Sequence, residues 1–268
     1  MSDREPQFLD IGASGSAAAR RIAYIHEPAT APGGLGLFWL SGYKSDMAST
    51  KASELARYAR EHGFGCTRFD YSGHGLSSGK FEDGTIGAWL GEAEAVFTSV
   101  ARGPQIVIGS SMGGHIALVL LRRLIAERPA DAARIKALVL IAPAWDMTEE
   151  LMWKQFPDDA RRQLEETGVY LQPSEYDEPY AITRALIEDG RAHLLARAPF
   201  DPGCPVVILQ GARDEAVPLA HTRELLTFLQ GNAVKLIEIP DGEHRLSRPE
   251  DLALLFATLD ELAESTLS

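Results

Sequence analysis

Between Ile106 and Leu118 the chain reads IVIGSSMGGHIAL, with two adjacent serines where an apolar run gives way to a helical pattern. A glycine-rich turn between a strand and a helix has two chemical uses. It holds an anion on the free NH groups of the helix start, or it presents a nucleophile. A phosphate loop needs Gly-Lys-Ser/Thr at its end, and the dinucleotide fingerprint needs a glycine where Ser111 stands, so neither pattern is met. The pattern that is met is G-x-S-x-G, from Gly109 to Gly113. In it the chain turns so sharply that the central side chain is exposed and the residues two before and two after must be small. Centring the motif on Ser110 puts Ile108 and Met112 at those places, whereas centring it on Ser111 puts glycines there. Ser111 is the candidate nucleophile, and Ser110 is expected to be a packing residue.

A serine hydroxyl attacks only when a base takes its proton and an acid orients that base. Around such a turn the partners follow in the order Ser, Asp or Glu, His, each just past a later strand. Of the histidines after Ser111, His115 falls in the following helix, His193 in a later irregular region and His221 within LAHTRELLTF. His244, in PDGEHRLS directly after VKLIEIP, is the candidate base. Asp214, which ends VVILQGARD, is the candidate acid; its other reading is a helix cap. Glu215 and Asp146 are weaker candidates, and Asp241 and Glu243 are read as solvated loop charges because they lie too close to His244 in sequence. Acyl transfer also needs donors for the oxyanion, which the backbone NH of Met112 and that of Tyr43, in LSGYKSDM, are placed to supply. In the same loop Ser45 or Asp46 is expected to cap the next helix. His74, in FDYSGHGLSSG, precedes Ser111 and sits among turn formers, which points to a structural loop role.

The elements that must position these residues are short apolar β-type runs alternating with helical patterns, the signature of an α/β fold with a mostly parallel sheet and helices on both faces. RRIAYIHEP, GLGLFWL, CTRFDY, PQIVIGS, KALVLIAPA, VVILQGARD and VKLIEIP read as strands. Helices are expected over SDMASTKASELARYAREHG, closed by Gly63, and over TIGAWLGEAEAVFTSVA, SMGGHIALVLLRRLIAERP, LAHTRELLTFLQG and PEDLALLFATLDELAES. After Pro143 the alternation stops for roughly 55 residues, against about 2 to 6 in an ordinary connection of this kind. The chain therefore divides into a core of residues 1–144 and 201–268 and a helical lid insertion at 145–200. Within the lid, TEELMWKQFPDDARRQLEETG and AITRALIEDGRAHLLARAP read as helical, and YLQPSEYDEPY as a proline-broken link. Trp153, Phe156, Tyr170, Tyr176 and Tyr180 either line a cavity beneath the lid or form its own core.

With 38 acidic against 26 basic residues and a net charge of −12, the chain is a poor partner for nucleic acid or anionic lipid. No apolar run approaches the ~20 residues a bilayer crossing needs, and the amino-terminal residues lack the pattern of a targeting segment, so a cytoplasmic location is expected. Cys66 and Cys204, each at the start of a strand, are expected to pack and not to pair.

With these residues in place the chain resembles the α/β-hydrolase superfamily over nearly its whole length. The stretch RFDYSGHGLSSGKFEDGTIGAW followed by GPQIVIGSSMGG, the segment FPDDARRQLEETGVYLQPSEY and the terminal GEHRLSRPEDL are similar to a narrower group. That group holds the mitochondrial abhydrolases described as palmitoyl-protein thioesterases and acyl-glucuronide esterases. The resemblance implies the α/β-hydrolase fold with Ser111, Asp214 and His244 as triad. The expectation is a serine hydrolase that cleaves an ester or thioester of a small-molecule or acylated substrate through an acyl-enzyme, with no cofactor and no metal. An amidase or peptidase with the same triad, and a non-catalytic small-molecule binder on the same fold, are the alternatives.

Overall fold

Alternate residues of the central strands feed two separate cores, which is what continuous apolar runs do when both faces of a sheet are covered. The computed structural model describes residues 4–12, 19–172, 179–231 and 233–267. The amino-terminal half contains strands β1 (Gln7–Ile11), β2 (Arg20–Glu27) and β3 (Gly36–Leu40), helix α1 (Thr50–His62), β4 (Gly65–Phe69) and α2 (Ile86–Ser99). Then come β5 (Gln105–Ser110), α3 (Met112–Glu127), a single turn α4 (Pro129–Ala132) and β6 (Ile135–Ile141). Residues 145–200 hold a π-helical turn (Thr148–Trp153), α5 (Asp158–Thr167), β7 (Val169–Gln172), β8 (Tyr180–Thr183) and α6 (Arg184–Gly190). The chain closes with β9 (Val206–Gly211), α7 (Leu219–Leu225), β10 (Val234–Ile239) and α8 (Pro249–Leu267).

Eight strands form one sheet in the order β1-β2-β4-β3-β5-β6-β9-β10, while β7 and β8 pair by themselves. The β1–β2 and β2–β4 pairs are antiparallel, and every pair from β4 to β10 is parallel. In β3, Leu37 and Trp39 enter the core beneath α1 and α8, and Phe38 and Leu40 enter the core shared with α2, α3 and the 145–200 segment. In β5, Ile106 and Ile108 go one way and Val107 the other. Full burial of one such side chain stabilises the fold by about 1.5–3 kcal/mol.

Three local features differ from the sequence reading. Strand β1 was not anticipated: its five residues pair with β2 at the sheet edge and are mostly exposed, so they carry no long apolar run. Helix α1 starts at Thr50, with Ser49 at the cap position, and not at Ser45 or Asp46. The reason is that two carboxylates hold the preceding backbone in turns: Asp46 Oδ1 accepts the Ala48 NH at 2.9 Å and Asp70 Oδ1 accepts the Met47 NH at 2.7 Å. The expected closure at Gly63 is present, with φ of 72° and the Phe64 NH bonded to Ala59 O at 2.9 Å.

The third difference lies within residues 145–200, which are not helical throughout. The expected first helix breaks around Pro157, which lacks an NH and disfavours helical geometry at Phe156. Strand β7 runs into the first residues of the stretch read as a proline-broken link, while β8 takes its last residue, Tyr180, together with residues 181–183, which were expected to be helical, so that the second expected helix begins only at α6. Tyr176 lies outside the described residues. Asp146 ties the return of this segment to the sheet: its buried carboxylate accepts the NH groups of Leu195, at 2.6 Å, and Ala196, at 2.9 Å. Cys66 and Cys204 form no disulfide. Burial raises the Cys204 thiol to about 11. No helix among the described residues is long and apolar enough to cross a membrane.

Candidate active site

Ser111 joins β5 directly to α3, and its backbone has φ 54° and ψ −117°, a conformation that costs a non-glycine residue about 1–3 kcal/mol. Three hydrogen bonds hold it there. The Ser111 NH donates to Ile141 O at 2.8 Å, and Ser111 O accepts the NH groups of Gly114, at 2.9 Å, and Ala144, at 3.1 Å. The glycines set the geometry by leaving room. A Cβ on Gly109 would stand 2.3 Å from Gly113 O, and one on Gly113 would stand 2.1 Å from Leu40 O, so no side chain fits at either place. Ser110 is buried in β5, as expected of a packing residue.

Two residues from the far side of the sheet meet this serine. His244 Nε2 lies 3.1 Å from Ser111 Oγ, and His244 Nδ1 lies 2.8 Å from Asp214 Oδ2. A carboxylate only accepts, so Nδ1 carries the proton and the Nε2 lone pair faces the hydroxyl. Asp214 stands past the end of β9, with its other oxygen accepting the Val217 NH at 2.8 Å. His244 stands past β10. The three residues thus cluster at the carboxyl ends of β5, β9 and β10, where open parallel sheets carry their sites.

A buried glutamine and a half-buried lysine outside the sequence reading hold these residues from behind. Gln210, with no solvent exposure, donates from Nε2 to Asp214 Oδ2 at 3.1 Å and to Val217 O at 2.9 Å, while its Oε1 accepts the Thr222 hydroxyl at 2.6 Å. Lys51, on α1, donates from Nζ to Arg245 O and, at 3.2 Å, to Ser247 Oγ, which ties the histidine loop to the opposite end of the chain. Burial lowers the Lys51 ammonium to about 8. No sequence pattern announces either residue, because each acts through a partner brought near only by the fold.

The loop after β3 approaches the serine closely: a Cβ on Gly42 would lie 3.3 Å from Ser110 O and 3.4 Å from Ser111 Cβ. Tyr43 and Lys44 are the central pair of a turn closed by the Ser45 NH on Gly42 O at 3.1 Å. Met112 is the first residue of α3, where helix NH groups have no carbonyl one turn back. The Tyr43 ring packs against Phe81 at 4.8 Å, Trp89 at 6.0 Å and Tyr180 at 6.2 Å. Burial, followed by Glu82, pushes its phenol above the ordinary range. The Lys44 ammonium sits 4.6 Å from the Tyr180 ring and 5.1 Å from that of Phe81. Tyr180, from β8, therefore brings the 145–200 segment against the loop that carries Tyr43. Phe156 instead packs on Tyr170 at 5.2 Å, and Trp153 lies under Arg161 and Arg191, so these three serve the segment's own core.

The remaining candidates fall elsewhere. Asp146 is committed to the two NH groups described above. His115 is fully buried, with Nδ1 accepting the Asp146 NH at 3.2 Å, and burial holds it neutral, down to about 3. His221 stacks on Trp145 at 4.3 Å, and His193 lies 3.9 Å from Asp189. Glu215 and Glu243 are exposed. Asp241 is not simply solvated, because it pairs with Arg248 at 2.7 Å. Among the described residues no three His, Cys, Asp or Glu side chains gather in a way that could hold a metal ion.

A family profile described as serine aminopeptidase, S33, matches residues 38–189. The palmitoyl-protein thioesterase ABHD10, mitochondrial, of Pongo abelii is 33% identical over 231 residues, covering 85% of this chain and 73% of the relative. The chain belongs to the α/β-hydrolase superfamily. A solved structure from Agrobacterium vitis S4 matches this hydrolase with a TM-score of 0.91 and 41% identity, over 97% of this chain and 100% of that one. The mouse alpha/beta hydrolase domain-containing protein 10 matches it with a TM-score of 0.83 and 30% identity, over 99% and 100%. The sheet order, the helical layers and these matches agree on the fold that the sequence implied.

Proposed function

We propose that this hydrolase cleaves a carboxylic ester or thioester through an acyl-serine intermediate, with Ser111 as nucleophile, His244 as base and then acid, and Asp214 as the group that fixes the histidine tautomer. The observation that carries the reading is the unbroken relay from Ser111 Oγ to His244 Nε2 at 3.1 Å and from His244 Nδ1 to Asp214 Oδ2 at 2.8 Å. His244 takes the hydroxyl proton as Ser111 Oγ attacks the acyl carbon. The NH groups of Tyr43 and Met112 receive the oxyanion. Collapse of the tetrahedral species expels the leaving group, which His244 protonates. Water, deprotonated by the same histidine, then attacks the acyl-serine and returns the enzyme. No cofactor is required.

Residues 145–200 act as the lid of this site, and the ring of Tyr180 beside Tyr43 and Lys44 supports that role. The aromatic surroundings of Tyr43 suit an apolar acyl group. The relatives named palmitoyl-protein thioesterases support a long-chain thioester, whose substrate is a small molecule or an acylated protein. Amide cleavage is the second reading, favoured by the family description as a serine aminopeptidase. The proposed location is the cytoplasm; recovery of the native protein in a mitochondrial fraction overturns that part.

A fluorophosphonate probe tests the core of the proposal. Wild-type protein labels covalently and Ser111→Ala does not; equal labelling of both, or none of either, overturns it. Parallel turnover of matched oxygen esters, thioesters and amides of graded acyl length then decides the substrate class.

A further inference from the structure

The turn that carries Tyr43 is held from outside. Its third residue, Lys44, has φ of 55°, which a turn of this kind requires and which glycine adopts far more easily than lysine. The Ser45 NH on Gly42 O closes the turn but leaves the peptide between Tyr43 and Lys44 without a partner inside it. That peptide is met by His74, from the loop after β4: the Lys44 NH donates to His74 Nε2 at 3.2 Å. His74 Nδ1 lies 3.1 Å from Ser72 O. A carbonyl only accepts, so Nδ1 carries the proton and Nε2 is left with the lone pair that the Lys44 NH needs.

The ring has little freedom to turn. Phe81 at 5.2 Å, Trp89 at 5.4 Å and Tyr71 at 5.9 Å surround it edge-on, and Trp89 Nε1 donates to the same Ser72 carbonyl at 3.1 Å. Burial, the largest cause, pushes the imidazole below its ordinary value; the bond to Ser72 O and the charge of Asp46 act against that, and Lys44 acts with it. A neutral, oriented acceptor is therefore in place at neutral pH. The turn is thus bonded at Gly42 O, in the peptide before Tyr43, and at the Lys44 NH, in the peptide after it, and the two bonds together restrict how the Tyr43 NH can turn.

We propose that His74 is a positioning residue for the reaction, its Nε2 fixing the Lys44 peptide so that the Tyr43 NH points at the developing oxyanion. This rests on the reading of Ser111 as nucleophile and of Tyr43 as an oxyanion donor. His74 touches no reacting atom. Its effect belongs to the tetrahedral species, so its loss lowers kcat and leaves KM nearly unchanged.

Glutamine and methionine are similar in size, but only glutamine places a strong acceptor near the position of Nε2. Steady-state turnover of a p-nitrophenyl ester and inhibition by a phenylboronic acid, which forms a tetrahedral adduct on a serine nucleophile, are measured for wild type, His74→Gln, His74→Met and Ser111→Ala. The expected result for His74→Met is a kcat lower by about ten- to a hundredfold, less than the 10²–10³ for deleting an oxyanion donor outright. Its KM stays within about twofold, its boronate affinity weakens by a similar factor to kcat, and His74→Gln recovers most of both. Equal values in His74→Gln and His74→Met, whether high or low, overturn the proposal while an inactive Ser111→Ala keeps the triad reading. A Ser111→Ala protein with full turnover overturns both.

Discussion

At the scale of single residues, the sequence displayed the proposed catalytic groups and concealed those that hold them in place. Ser111, Asp214 and His244 could be picked out because sterics demand small residues around the serine and because the order of the three along the chain is restricted. Gln210 could not, since its value comes from bonding at once to Asp214, Val217 and Thr222. Replacing Gln210 with leucine removes a donor to the carboxylate and strands the Val217 carbonyl and the Thr222 hydroxyl in a buried place. The expected cost is about 1–3 kcal/mol. A thermal melt should fall by several degrees, and kcat should drop as Asp214 loses one of its anchors; an unchanged melt and an unchanged kcat would show that Gln210 is dispensable.

Among elements, the parallel strands and their helices were legible because burial on both faces writes long apolar runs. The failures have two causes. Strand β1 and the β7–β8 pair lie at an edge or in a peripheral segment, where alternation is short and largely exposed. The start of α1 was misplaced because Asp46 and Asp70 fix turns through contacts that no helix-capping rule foresees. The junction of β5 and α3 leaves no room for a side chain at Gly109 or Gly113. A methyl group on Gly113 would meet the carbonyls of Leu40, at 2.1 Å, and Ser41, at 2.8 Å. Gly113→Ala must therefore push α3 away from β3, moving Ser111 relative to a histidine held in the loop after β10. Turnover should fall by at least a hundredfold, in line with the cost of a misplacement of about 1 Å. Retention of wild-type kcat in that variant would mean that the elbow tolerates far more slack than its contacts suggest.

For the whole molecule, stability and acidity are linked through His115. Its folded value of about 3 lies below the ordinary 6.5, so the unfolded chain binds more protons between those limits. The stability it allows is complete above about pH 6.5 and is lost as pH falls toward 3, with a slope of up to about 1.4 kcal/mol per pH unit from this group alone. Denaturant unfolding at pH 7, 5 and 4 should show wild type losing more stability than His115→Gln, the comparison cancelling the other carboxyl and imidazole groups. Parallel losses in the two proteins would exclude His115 as the source. The separation of the serine and its histidine along the chain also has a consequence in time. They are 133 residues apart, which at a synthesis rate of about 5–20 residues per second is roughly 7 to 27 s of translation. Throughout that interval the ribosome carries a chain with the serine already made and its proposed base still to come. On the proposed reading of the triad, a chain released before His244 is made therefore carries its nucleophile without the group that activates it.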